Sequence, residues 1–193
     1  MNLPNKLTVA RLALTGVFVI CFYAPWPNAI SIALFIFLVA SATDYLDGQI
    51  ARARNLVTNF GKLFDPLADK ILITAAFIML VASESLPAWA AIIILAREFF
   101  VTGIRQIAAT TGVVLAAEKL GKHKMVWQIV TVIYFMLESA VKEPIFAWAA
   151  PVFAKAAPLQ QEIGTFIVYF TTVLTLVSGF SYFWKNRQLF SDT

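Results

Sequence analysis

The apolar residues of this 193-residue chain fall into six long segments, which polar or proline-containing stretches separate. Each segment has roughly the 20 residues that an α-helix needs to cross the hydrocarbon core of a bilayer. The segments cover residues 8–24, 29–51, 63–82, 87–110, 125–141 and 162–184. This pattern predicts an all-α integral membrane protein with six transmembrane helices.

A further apolar stretch, residues 144–157, reads PIFAWAAPVFAKAA. It is too short to cross a bilayer, and Pro144 and Pro151 interrupt it. We therefore expect this stretch to lie in the membrane interface or to re-enter the membrane from one side.

The composition supports a membrane protein without a separate soluble domain. Hydrophobic residues make up 60% of the chain, and the mean hydropathy is +0.78. Six spans with short loops use most of the length, so we expect one membrane domain, residues 1–193. Cys21 is the only cysteine, which excludes a disulfide within the chain.

Positive charges concentrate on one side of the predicted bundle, the side that holds both termini. That side collects Lys6, Arg11, Arg52, Arg54, Lys62, Lys70, Arg105, Lys119, Lys122, Lys124, Lys185 and Arg187. The opposite loops hold only Lys142 and Lys155 among basic residues. Because basic loops stay in the cytoplasm, both termini are predicted to be cytoplasmic, in a cell (inner) membrane. We expect a bilayer, and no nucleic acid, as the partner of this surface.

Four aspartates occur in the stretch DYLDGQIARARNLVTNFGKLFDPLADK, which ends the second segment and begins the third. Asp44 and Asp47 are three residues apart, and Asp65 and Asp69 are four apart, so each pair lies on one face of its helix. A polar turn between the pairs allows the two helices to form an antiparallel hairpin. The four carboxylates are therefore predicted to meet at its cytoplasmic end.

Several carboxylates so close to a bilayer need a bound cation, because like charges repel and unpaired buried charge is costly. Carboxylate oxygens suit Mg²⁺, Mn²⁺ or Ca²⁺, whereas a chain with one cysteine and one histidine is poorly equipped for zinc. Four carboxylates are enough to hold two ions against a phosphoryl group. This arrangement favours phosphoryl-transfer chemistry.

Small residues and an arginine accompany the aspartates at helical spacing. Gly48 and Ala51 follow the first pair and Gly61 precedes the second, which leaves room for a ligand or for a closely packed helix. Arg52 lies one turn beyond Gly48 and is a suitable bidentate donor to a phosphate.

This set of residues resembles the complete motif of the CDP-alcohol phosphotransferase family. The motif runs Asp44-x-x-Asp47-Gly48-x-x-Ala51-Arg52, then eight residues, then Gly61-x-x-x-Asp65-x-x-x-Asp69. The resemblance implies a homodimeric six-helix membrane enzyme that transfers a substituted phosphoryl group from a CDP-linked donor to an alcohol and releases CMP. It also implies two divalent ions, Mg²⁺ or Mn²⁺.

The resemblance also implies a role for each motif residue. Asp44, Asp47 and Asp65 would hold the metals, and Asp69 would lie at the second ion and act as general base on the acceptor hydroxyl. The CDP-binding floor would be formed by Asp44, Gly48, Ala51, Arg52 and Gly61.

The acceptor is indicated by basic residues outside the motif. Arg97 lies within the fourth segment, where an arginine that faced lipid would be costly, so it should face the bundle or a wet cavity. Arg105 lies about two turns further on and is expected on the same face, and a basic loop follows with Lys122 and Lys124. A pocket with these donors would favour an acceptor that already carries phosphate.

The stretches FDPLADK, REFFVTGIR and GKHK resemble the branch of the family that uses CDP-diacylglycerol as donor and glycerol 3-phosphate as acceptor. By that resemblance the acceptor phosphate would be bound by Arg97, Arg105, Lys122 and Lys124. Met125 departs from the threonine often found at that position.

Some alternatives stay open at this point. The same mechanism would serve a phosphatidylinositol-phosphate, cardiolipin or phosphatidylserine synthase, and the aspartates of a divalent-cation transporter would also bind metal. The basic loop would also serve as a membrane anchor, and Glu98 is either a charge partner of Arg97 or an aid to positioning the acceptor. His123, the one histidine, lies in this basic loop and is not expected to be catalytic.

Overall fold

The computed structural model describes the backbone of residues 3–54, 59–110, 112, 113, 115 and 119–190, and side chains within 8–43, 70–110, 112, 113, 115 and 120–188. The described residues form α-helices and short 3₁₀ turns and contain no strand. The helices are α1 (Leu3–Tyr23), α2 (Ala29–Arg54), α3 (Asn59–Ala82), α4 (Ala88–Thr110), α5 (Lys119–Ala140), α6 (Ala150–Lys155) and α7 (Ala157–Lys185). The all-α prediction is confirmed.

Six of these helices coincide with the six apolar segments, but several begin earlier than the segments do. The helix α1 begins at Leu3, α3 at Asn59 and α5 at Lys119. Apolarity reports only the part of a helix that suits lipid, whereas backbone hydrogen bonding continues into polar sequence at the membrane surface. In α5 the extra turns carry the predicted acceptor residues Lys122 and Lys124.

Residues 144–157 form no long helix. They contain a 3₁₀ turn at Pro144–Phe146 and the six-residue helix α6, and α7 begins at Ala157. Neither element approaches the length of a membrane span, which agrees with the prediction that this stretch does not cross.

The helices pack into a bundle in which α5 has a central place. The first three helices associate through α1, which contacts α2 and α3, while α7 contacts α4 and α5. The helix α5 also packs against α2 and α3 and so joins the two groups. The shared core includes the fully buried Phe18, Phe37, Phe77, Val132 and Met136.

The helix α7 has its polar face inside the bundle and its apolar face outside. Its exposed side includes Phe166, Tyr169, Phe170, Val173, Leu176, Val177, Phe180 and Trp184. Its buried side includes Gly164, Thr171, Thr172, Thr175, Ser178 and Gly179. Thr171 shares a hydrogen bond with Thr131 of α5 at 2.9 Å between hydroxyl oxygens. An apolar exterior around small, hydrogen-bonded residues is typical of a helix surrounded by lipid.

By length and composition, α7 is the one helix among the described residues that passes as a membrane span. Shorter apolar helical stretches occur at Thr8–Tyr23, Ala29–Thr43 and Lys70–Ala82.

Glu143 closes the end of the bundle opposite the motif by capping a distant helix. Its carboxylate accepts the backbone N–H groups of Ile30 at 2.7 Å and Ser31 at 2.8 Å, in the first turn of α2. In return, the Asn28 side-chain oxygen accepts the N–H of Ile145 at 2.8 Å. A carboxylate at this place satisfies N–H groups that lack partners within the helix and interacts favourably with the helix dipole.

We expect Glu143→Ala to lower the free energy of unfolding by about 1–2 kcal/mol, the usual cost of losing a helix cap. Glu143→Gln keeps an acceptor oxygen and should cost less. Thermal unfolding of the purified protein in detergent measures both losses, with exposed Glu162→Ala of α7 as the control. Equal melting temperatures for wild type and Glu143→Ala would show that the cap does not stabilise α2.

Candidate functional site

A cavity of about 210 Å³ lies where the first five long helices converge. Its described lining comes from α1 (Arg11), α2 (Phe37 and Ser41), α3 (Lys70, Leu72 and Ile73), α4 (Glu98) and α5 (Gly121, Lys124, Met125, Gln128 and Ile129). Three of these residues are cations and one is an anion. The cavity is therefore suited to an anionic ligand.

The helix register connects this cavity to the sequence motif. On α2, Ser41 lines the cavity, and Asp44 and Gly48 follow it at steps of three and four residues. On α3, Ile73 lines the cavity, and Asp69 and Asp65 precede it at successive steps of four. The helix faces that carry the motif are thus continuations of the faces that line the cavity.

The motif side chains themselves lie outside the part of the chain whose side chains are described. They are Asp44, Asp47, Gly48, Ala51, Arg52, Gly61, Asp65 and Asp69. Among the described side chains, no group of three or more possible metal ligands occurs.

Glu98 connects α4 with α5 at the wall of the cavity. Its Oε1 accepts hydrogen bonds from Lys124 Nζ and, at 3.2 Å, from Gln128 Nε2. Arg97 Nη1 lies 3.4 Å from the same oxygen, which is a weaker contact. Burying these charges is costly unless they are paired, and here the carboxylate pairs with the lysine. Of the two readings left open for Glu98, the structure shows a charge partner, chiefly of Lys124.

Arg97 is buried, as its position within an apolar segment predicts; only 9% of its surface is exposed. Its Nη2 donates to Ser178 Oγ of α7 at 2.8 Å. The arginine does not line the cavity directly but lies between Glu98 and α7.

The four predicted acceptor residues separate into two pairs. Lys124 is buried at the cavity wall and Arg97 is buried behind Glu98, whereas Arg105 and Lys122 are exposed. Arg105 follows Arg97 by eight residues, which is about 80° more than two complete turns, so the two side chains do not share one face. His123 is also exposed.

Sequence reasoning missed Gln128, Ser178 and Lys70, and it gave Glu98 no definite role. Lys70 directly follows the last motif aspartate. Gln128 lies one turn after Lys124, and Ser178 belongs to the row of small and hydroxylated residues on α7. The period of three to four residues in that row would have indicated a buried face.

A larger cavity of about 990 Å³ opens at the opposite end of the bundle, where its charged lining is Glu84, Glu138 and Lys142. It lies far along α3 from the motif, so its size does not make it the better candidate. The smaller cavity, next to the motif faces, is the candidate active site.

The chain belongs to the CDP-alcohol phosphatidyltransferase family, whose profile matches residues 1–177. Members of this family are embedded in membranes and use a divalent metal.

Curated relatives align with almost the whole chain. A Bacillus subtilis (strain 168) protein is 42% identical over 200 residues, which cover 97% of this chain and 96% of the relative. A Rickettsia bellii protein is 35% identical, with 98% and 97% covered, and a Cereibacter sphaeroides protein is 31% identical, with 99% and 98% covered. All three are named CDP-diacylglycerol--glycerol-3-phosphate 3-phosphatidyltransferase.

Proposed function

We propose that this protein transfers the phosphatidyl group of CDP-diacylglycerol to sn-glycerol 3-phosphate, giving phosphatidylglycerophosphate and CMP. This is the first step of phosphatidylglycerol and cardiolipin synthesis. The observation that carries the proposal is the buried Lys124–Glu98–Arg97 cluster at a cavity whose walls continue into the motif-bearing helix faces. The names of the full-length relatives support the choice of donor and acceptor.

The motif residues fit a pair of divalent ions, Mg²⁺ or Mn²⁺. Helix register from Ser41 and Ile73 supports a position for Asp44 and Asp47 of α2 and for Asp65 and Asp69 of α3 beside one cavity, and carboxylate oxygens are the ligands that these ions prefer. When bound there, the ions would neutralise negative charge on the donor's pyrophosphate. Gly48, Ala51, Arg52 and Gly61, with Asp44, hold the CDP group.

The reaction needs one proton transfer and one exchange of bonds at phosphorus. Asp69 accepts the proton of the acceptor's hydroxyl group. The hydroxyl oxygen then bonds to the phosphorus of the phosphatidyl group, while the bond from this phosphorus to the CMP oxygen breaks.

The acceptor's own phosphate binds to the cationic wall of the cavity. Lys124 and Arg97 provide buried charge, and Arg105 and Lys122 add exposed donors at the same end of α4 and α5. Charged donors of this kind form strong hydrogen bonds with phosphate oxygens. A cavity rich in cations favours a phosphorylated acceptor over a neutral or zwitterionic one.

The setting we propose is a single domain, residues 1–193, with six spans and both termini in the cytoplasm. The positive loops and the apolar exterior of α7 support this arrangement. The active site then faces the cytoplasm from the inner membrane. The homodimer follows from the family resemblance.

An acceptor panel tests the proposal. The purified protein is incubated with CDP-diacylglycerol, Mg²⁺ or Mn²⁺, and one acceptor at a time: glycerol 3-phosphate, inositol phosphate, serine or phosphatidylglycerol. We expect rapid CMP release with glycerol 3-phosphate alone. Release with another acceptor but not with glycerol 3-phosphate would identify a different member of the family, and no release with any acceptor would favour the transporter alternative.

A further inference from the structure

We propose that Ser178 and Gly179 of α7 form a seat that holds Arg97 in position for the acceptor's phosphate. This inference rests on the proposed function, in which Arg97 binds that phosphate. Among the described residues, neither member of the α7 seat lines the cavity, and Arg97 borders the cavity through its contact with Glu98. Both therefore act through Arg97, as positioning residues.

Ser178 fixes the end of the arginine side chain. Its Oγ accepts the 2.8 Å hydrogen bond from Arg97 Nη2, and the serine is only 1% exposed. Water has little access to this contact, so the guanidinium group keeps a defined orientation. The bond joins residues 81 positions apart in sequence and thus links α4 to α7.

Gly179 leaves space for the aliphatic part of the Arg97 side chain. A Cβ atom at this position would lie 2.8 Å from Arg97 Cγ, 3.5 Å from Nε and 3.7 Å from Cδ. The first distance is far shorter than the normal contact between carbon atoms. A glycine inside a helix is unfavourable relative to alanine, and here its absent side chain is what lets Arg97 lie directly against the backbone of α7.

The seat places the charge of Arg97 next to a second cation. Arg97 Nη1 is 3.4 Å from Glu98 Oε1, and Lys124 donates to the same oxygen. If Arg97 were displaced by even about 1 Å, its geometry toward a phosphate beside Lys124 would be lost. We therefore expect the seat to affect acceptor binding more than donor binding.

The same helix offers a matched control for glycine substitution. A Cβ at Gly164 would also be crowded, at 3.3 Å from Tyr134 Cε1 and 3.4 Å from Phe135 Cε1, but those neighbours belong to the opposite end of the bundle. Gly164→Ala therefore perturbs the packing of α7 on α5 without touching Arg97.

The test compares Gly179→Ala, Ser178→Ala, Ser178→Thr and Gly164→Ala with the wild type. Steady-state CMP release gives KM for glycerol 3-phosphate and for CDP-diacylglycerol, and calorimetry gives the Kd of glycerol 3-phosphate and of inorganic phosphate. Loss of a hydrogen bond to a charged group predicts a rise of about tenfold or more in both acceptor constants for Gly179→Ala and Ser178→Ala. We expect KM for CDP-diacylglycerol to stay unchanged, Ser178→Thr to recover acceptor binding, and Gly164→Ala to bind acceptor as the wild type does.

The proposed role of Ser178 and Gly179 would be overturned if KM for CDP-diacylglycerol and KM for glycerol 3-phosphate changed equally. It would also be overturned if Gly164→Ala weakened acceptor binding to the same extent. If Gly179→Ala fails to fold, the comparison of Ser178→Ala with Ser178→Thr still tests the positioning of Arg97, since both variants keep the glycine. A wild type that binds glycerol 3-phosphate without turnover would overturn the proposed function alone, because the Kd values still test the seat. A wild type that binds neither probe would overturn both proposals.

Discussion

Replacing Asp69 with asparagine is expected to lower the rate of CMP release by about 10²–10⁴-fold, the usual contribution of a general base. Asparagine has nearly the same shape as aspartate but cannot accept the proton of the acceptor hydroxyl at neutral pH. Its amide oxygen would keep a similar position toward the proposed metal site. We therefore expect the Kd of CDP-diacylglycerol to change little while turnover is lost.

Single-turnover CMP release and equilibrium binding of CDP-diacylglycerol separate these two effects. Glu138→Gln is the control, because Glu138 belongs to the large cavity at the opposite end of the bundle. That variant should retain wild-type rates. Unimpaired turnover in Asp69→Asn would remove Asp69 from the role of base.

The second large effect is expected at Glu98 and Lys124, where breaking one buried ion pair affects both stability and acceptor binding. In Lys124→Met, Glu98 loses its chief partner among the described residues. In Glu98→Gln, Lys124 and Arg97 remain as buried cations without the carboxylate between them. Removing one member of a buried pair typically costs about 3–5 kcal/mol.

The double variant Glu98→Gln/Lys124→Met separates the effect of these residues on stability from their effect on acceptor binding. It removes both charges, so we expect it to regain much of the stability that each single variant loses. Acceptor affinity should stay low, because the lysine that we propose to bind the phosphate is still absent. Melting temperatures in detergent and KM for glycerol 3-phosphate are the two measurements. Recovery of both quantities together would contradict a phosphate-binding role for Lys124.

The sequence was sufficient to predict the helices, since their apolar segments are long and clearly separated. It was also sufficient to predict that Arg97 is buried, because an arginine in an apolar span has few other options. The predicted ends of the helices were less accurate: α5 begins at Lys119, whereas the apolar segment begins at residue 125. Polar turns at a membrane surface carry no apolar signal, although the backbone there is helical.

The contacts between distant helices could not be predicted from spacing alone. Glu98 and Lys124 are 26 residues apart and Arg97 and Ser178 are 81 apart, and both contacts depend on how each helix is rotated about its axis. Arg105 shows the same limit, because the eight residues that separate it from Arg97 turn the helix by about 80° more than two complete turns. The aspartate site remains a prediction from sequence, supported by helix register.

The central claim is transfer of the phosphatidyl group to glycerol 3-phosphate, and analysis of the lipid product tests it most directly. The wild-type protein is incubated with CDP-diacylglycerol, a divalent metal and isotopically labelled sn-glycerol 3-phosphate, and CMP and labelled lipid are quantified together. We expect one labelled lipid that retains a phosphate monoester, formed in equal amount to CMP. CMP release without labelled lipid would show that water or another acceptor attacks the donor, and would contradict the account.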